Sequence, residues 1–118
     1  MKAIIISGII EGYFHSNEDC DFEKVIEKIK DISNTIEEST GVYISTVTTQ
    51  SKVTYKTEWG CPQGGEDVLR IESSHNHEFS SLEKWKIAIL DFAKEIKKEF
   101  KQLTITIEFV NSELNYIK

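Results

Sequence analysis

Ala3-Ile4-Ile5-Ile6-Ser7-Gly8-Ile9-Ile10 is a nearly continuous apolar run with no polar alternation. Such a pattern predicts a strand buried on both faces. The run is shorter than the roughly 20 apolar residues that a bilayer span requires, and it is too rich in β-branched residues to favour a helix. It is therefore expected to be the central strand of a covered sheet, with the rest of the chain packed around it.

Downstream, Glu11 to Asp19 is a polar loop containing Gly12. Phe22, Val25, Ile26, Ile29, Ile32 and Ile36 then recur at three- and four-residue spacing, predicting an amphipathic helix over about residues 20–39, capped by Asp19 or Asp21 and ended by Gly41. Val42 to Trp59 is rich in Thr, Val and Tyr. Its odd positions Tyr43, Val47, Val53, Tyr55 and Trp59 predict the buried side of a long strand, bent by a bulge near Gln50 to Lys52. Gly60-Cys61-Pro62-Gln63-Gly64-Gly65 is a turn, and Asp67 to Ser73 is the returning strand of a hairpin. Ser80 with Glu83 forms a capping-box pattern. It precedes a second stripe of Leu82, Trp85, Ile89, Phe92, Ala93, Ile96 and Phe100. Leu103, Ile105, Ile107 and Phe109 alternate with polar residues as a last half-buried strand.

The order β-α-β-β-α-β, with short connections and right-handed crossovers, predicts one α+β domain over residues 1–118. The expected architecture is a ferredoxin-like sandwich, an antiparallel sheet with two helices on one face. A fold of this kind hosts many unrelated activities, so it does not by itself indicate a function.

Composition narrows the classes. Apolar residues make up 39% and charged residues 29%, with a single proline, as in an ordinary folded domain. A net charge of −6 and one arginine, Arg70, argue against nucleic-acid binding, because phosphate and base contacts draw on Arg and Lys. No membrane segment is expected. Two cysteines without an export signal predict free thiols and a cytoplasmic location.

Candidate sites fall into two groups. The first is the loop Trp59-Gly60-Cys61-Pro62-Gln63-Gly64-Gly65-Glu66. There Cys61 is the candidate catalytic thiol, Gly64 and Gly65 are candidate backbone donors to a ligand, and Trp59 with His15 lines the approach. Glu11, Glu18, Asp19, Glu58, Glu66 and Asp67 are expected to form an acidic rim at the same end. Cys20, near a helix start, is expected to be a poor nucleophile because Asp19 and Asp21 oppose its thiolate. The second group is His75 and His77, spaced to share one side of an extended segment, with Glu78 as a candidate third metal ligand. The topology sets this group at the opposite end of the sheet from Cys61.

Gly8-Ile9-Ile10-Glu11-Gly12-Tyr13-Phe14-His15 is similar to the first loop of acylphosphatases, which share the proposed fold. That family's loop ends in a phosphate-holding arginine where this chain has His15. Its second-strand asparagine has no counterpart within Val42 to Thr49, so the likeness brings no catalytic group with it.

With no phosphate loop, zinc signature or nucleophile-base set, the expectation is a non-enzymatic binding or regulatory module without a cofactor. The alternatives are a small enzyme using the Cys61 loop or the His75/His77 pair, and an acidic inhibitor protein that mimics nucleic acid. The long threonine-rich strand is expected at a sheet edge, and the tail from residues 111–118 carries Leu114, Tyr116 and Ile117. Both features predict a homodimer, formed by edge pairing or by docking of the tail.

Overall fold

The computed structural model describes residues 1–17 and 19–118. Its elements run β1 (Lys2–Gly8), α1 (Phe22–Thr40), β2 (Val47–Val53), β3 (Glu66–Ser74), α2 (Leu82–Glu99) and β4 (Thr106–Val110). Single 3₁₀ turns lie at Glu11–Tyr13 and Thr57–Trp59. The four strands form one antiparallel sheet in the order β2-β3-β1-β4, the ferredoxin-like arrangement. β1 is central, as expected.

The two helices form where the apolar stripes and caps direct. The Asp21 side chain accepts from the Lys24 amide at 3.2 Å to start α1, and Gly41, in the left-handed region at φ 78°, ends it. The cap of α2 is Ser81, one residue beyond the expected Ser80; its Oγ accepts from the Lys84 amide at 3.2 Å. Val25, Ile29, Ile32 and Ile36 from α1 meet Trp85, Ile89, Phe92 and Ile96 from α2 over Ala3 and Ile5 of β1 and Leu69 and Ile71 of β3.

Two expectations are corrected. First, β1 is not covered on both faces: Ala3, Ile5 and Ser7 are buried under the helices, while Ile4 and Ile6 are half-buried on the open face of the sheet. On that open face, Ile4 and Ile6 pair with Glu72 and Arg70 on one side and with Glu108 and Thr106 on the other. Half-shielding by these polar neighbours, without a second layer, explains an unbroken apolar run in a sheet covered on one face only.

Second, the strand expected over Val42 to Trp59 is shorter and its sides are reversed. Ladder pairing covers only Val47 to Val53 and runs without a bulge through Gln50 to Lys52. Before it, the even positions Val42 and Ile44 are buried, whereas Val47 is 66% exposed and Trp59 is 72% exposed. The register decides this. Thr48 pairs with Ile71 and Gln50 with Leu69 on the helix side, which turns Val47 and Val53 to the open face. The expected edge position of β2 is correct. In the last strand, Ile107 and Phe109 pack against the core, but Leu103 lies before β4 and is exposed.

Candidate active site

At the end of the sheet where β1 begins and β3 finishes, β2 separates from its neighbour. Its pairing to β3 stops at Val47 opposite Glu72, although β3 continues along β1 to Ser74 opposite Lys2. The chain at residues 42–46 is instead drawn toward α1. Ser33 Oγ donates to the Ile44 carbonyl at 2.8 Å inside the protein, and the Val42 amide donates to Thr40 Oγ1 at 3.1 Å. A wedge opens between the parted strands.

The wedge is a cavity of about 680 Å³, within the roughly 300–1,000 Å³ typical of small-molecule sites. Lys2 enters from β1, Glu72 and Ser74 from the end of β3, and Glu37 from the last turns of α1. Tyr43, Ser45, Thr46 and Val47 form the wall that leads into β2. Asn76, Phe79 and Ser80 from the β3-α2 connector, Trp85 from α2, and Leu114 and Tyr116 from the tail complete it. A smaller cavity of about 220 Å³ lies behind the same wall, between Tyr43 to Thr48 and α1. Thr48 Oγ1, which borders this smaller cavity, is buried without a hydrogen-bond partner among the described residues.

The main cavity combines two carboxylates, one ammonium and four aromatic residues. Glu72 is held in place by Arg70, whose Nη2 donates to its Oε1 at 3.0 Å. The connector is fixed by the His75 ring, whose Nε2 lies 2.7 Å from the Ser80 carbonyl and whose centre sits 5.5 Å from that of the Trp85 ring. Asn76 Nδ2 donates to Tyr116 Oη at 2.6 Å. A site of this composition suits a ligand that is part flat and aromatic and part charged.

The residues singled out from the sequence sit elsewhere or play other parts. The Cys61 Sγ accepts from the Tyr55 amide at 3.4 Å, and Lys56 Nζ lies 5.1 Å above the exposed ring of Trp59. Gly64 and Gly65 both have φ of 84°; a Cβ on Gly65 would approach the Val53 carbonyl at 3.0 Å, so these glycines serve the turn. His15 Nε2 lies 4.0 Å from Asp21 Oδ2. Burial and the charges of Asp67 and Asp21 push the Cys20 thiol up, which agrees with the expected poor nucleophile, although burial is the largest cause. Glu18 of the expected acidic rim lies outside the described residues. His75 and His77 are at the cavity end, as the topology required, but His75 is engaged with Ser80 and Trp85, and His77 and Glu78 are exposed on a turn. Among the described residues no group of three or more His, Cys, Asp or Glu side chains is arranged to hold a metal ion. Among those residues no helix is long and apolar enough to cross a membrane.

Sequence reading missed Glu72, Tyr43 and Tyr116. The signals available were an acid beside the lone arginine on a half-buried strand and an aromatic in a tail without periodicity, neither of them specific.

No curated protein matches the sequence. Two solved structures share the fold: a phage SAM lyase in complex with S-methyl-5'-thioadenosine and a phage SAM lyase in the apo state. Each gives a TM-score of 0.54 at 20% identity over 90% of this chain, covering 76% and 75% of theirs, respectively. The family model described as SAM lyase matches residues 1–118. This overturns the expectation of a non-enzymatic module, and with it that of a nucleic-acid mimic, in favour of the alternative of a small enzyme. The chain belongs to the SAM lyase family.

Proposed function

We propose that this protein cleaves S-adenosylmethionine to 5'-methylthioadenosine, using the cavity between the parted ends of β2 and β3. The observation that carries the reading is that a chain of this family has, at one end of its sheet, a substrate-sized cavity lined by aromatic rings and by Glu37 and Glu72. The substrate has a flat adenine, a sulfonium cation and an amino-acid end. Each part finds a chemical match among the lining residues.

The bond that must break to leave 5'-methylthioadenosine is the one between sulfur and the γ-carbon of the methionine part. The substrate's own carboxylate can attack that carbon and close a five-membered lactone. The bonding electron pair then passes to sulfur, leaving a neutral thioether, and no proton, water or further reactant is needed. Loss of a β-proton is another balanced route, but an unactivated C–H would require a far stronger base than the carboxylates of Glu37 and Glu72. Ring closure asks the protein for two things only: a substrate held in a folded conformation and a cavity poor in water, where neutralisation of sulfonium and carboxylate is favoured. Glu72 serves the first as acceptor for the substrate's α-ammonium, and the aromatic rings, once the substrate covers them, serve the second.

Incubating the protein with S-adenosylmethionine and identifying the products by mass spectrometry tests the reading. 5'-Methylthioadenosine with the amino lactone is the expected pair. S-adenosylmethionine left intact beyond its spontaneous decay overturns the proposal. The reaction belongs in the cytoplasm, consistent with two free thiols. Self-association is proposed through the open β2 edge, where Val47 and Val53 are exposed and Lys52 is occupied by Asp67 at 2.9 Å; a purely monomeric native mass spectrum at micromolar concentration would refute it.

A further inference from the structure

β4 ends at Val110, and the residues after it form neither helix nor strand, yet they do not leave the domain. The Met1 nitrogen donates to the Ser112 carbonyl at 3.1 Å, which turns the tail back across the sheet end. From there Leu114 and Tyr116 line the cavity, while Glu113, Asn115 and Ile117 do not. That alternation is the pattern of an extended segment laid with one side against a wall.

Tyr116 is fixed more firmly than an exposed tail residue needs to be. Its hydroxyl accepts from Asn76 Nδ2 at 2.6 Å, and Asn76 is locked in turn because its Oδ1 accepts from the Glu78 amide at 3.0 Å. The ring remains 53% exposed, so core packing does not account for the arrangement. Phe79, on the connector beside Asn76, also lines the cavity and is 83% exposed. Of the four aromatic residues around the cavity, these two are the least covered by the protein itself, whereas Trp85 is buried. Two uncovered rings, one of them clamped, offer stacking surface to a flat heterocycle, and the carboxylates are supplied by other elements.

We infer that the C-terminal segment is a wall of the substrate site and that Tyr116, clamped by Asn76, is a substrate-binding residue that stacks on the adenine base. The inference rests on the lyase reading above and adds to it the group that selects an adenosine-bearing sulfonium over a simple one. A stacking contact is made alike in the ground state and the transition state, so its loss is read in KM and not in kcat.

The test compares the full-length protein with Tyr116→Ala, Tyr116→Phe and Asn76→Ala in steady-state cleavage of S-adenosylmethionine and in calorimetric binding of 5'-methylthioadenosine. Tyr116→Ala is expected to raise KM and to weaken 5'-methylthioadenosine binding together by about tenfold, with kcat within about twofold. Tyr116→Phe, which keeps the ring, and Asn76→Ala, which frees it, are expected to give smaller changes in the same direction. Thermal melting should be unchanged, since the tail is exposed. Wild-type activity with Tyr116→Ala unchanged in KM and binding overturns the inference alone. So does a fall in kcat and melting temperature together, which would mark a structural role. A wild-type protein that neither cleaves S-adenosylmethionine nor binds 5'-methylthioadenosine overturns the lyase reading, and the wall with it.

Discussion

At one end of the sheet the first loop is closed down onto the end of α2: the Tyr13 ring packs 4.9 Å from Phe100, its hydroxyl donates to Glu99 at 2.9 Å, and Lys24 Nζ reaches the Gly12 carbonyl at 2.8 Å. At the other end, residues 42–46 and the finish of β3 part and leave about 680 Å³ open. The first end carries the local features that attract attention in a sequence, a glycine-rich turn with a cysteine and a tryptophan. The second carries none of these, and it holds the cavity. A glycine turn is needed wherever the chain reverses steeply, so it marks geometry. A cavity needs only that two elements which could pair do not, and here Ser33 draws the Ile44 carbonyl away to α1.

The two ends are expected to differ most at Glu72. Replacing it with Gln should lower kcat/KM for S-adenosylmethionine by about 10- to 150-fold, the loss expected for one hydrogen bond to a charged group, whereas Cys61→Ser at the opposite end should leave the rate within about twofold. If the rate instead follows Cys61, the two ends have been assigned the wrong way round.

Ser33→Ala removes the bond that holds the strands apart and leaves the buried Ile44 carbonyl without that donor. A loss of about 1–3 kcal/mol in chemical denaturation is expected, together with a higher KM. An unchanged KM would show that residues 42–46 hold their course without this bond.

The closed end has a pH signature. Burial, with the hydrogen bond to Glu99 and its charge, pushes the Tyr13 hydroxyl up from 10.0 to about 12. A group whose pKa is raised on folding stabilises the fold fully below its unfolded pKa, and that contribution is lost as pH rises through the folded value. Stability should therefore decline between pH 10 and about 12, and Tyr13→Phe should flatten that part of the denaturation profile. The cavity-end substitution Tyr116→Phe should leave it in place.

The smallest expected effect is that of Trp59→Ala. The ring is 72% exposed, with the Lys56 ammonium 5.1 Å from its centre, so a stability change within about 0.5 kcal/mol and unchanged cleavage are expected in melting and activity assays. A large loss of activity would restore the hairpin loop as a functional region.

Much of the fold is legible because its causes are local. The stripes of α1 and α2 depend on neighbours three and four positions apart, and Asp21, Gly41 and Ser81 act on amides or turns within a few residues. Even there, Ser80 and Ser81 offer two adjacent caps, and it is the second whose hydroxyl accepts from the Lys84 amide. The central place of β1 and the edge position of β2 follow from element order and the handedness of crossovers. The sides of the second strand were not legible, because a one-residue shift of register exchanges inside for outside, and the register was set by pairing Thr48 with Ile71. The cavity lay still further from local pattern. Lys2, Tyr43, Glu72, Asn76 and Tyr116 share no spacing or motif, and they meet only because β1 starts, β3 ends and the tail returns at one edge of the sheet. By itself the sequence determined the elements and their order, since periodicity and caps are short-range; the tertiary structure alone decided where the strands part, because that depends on competition between distant partners for the same backbone groups.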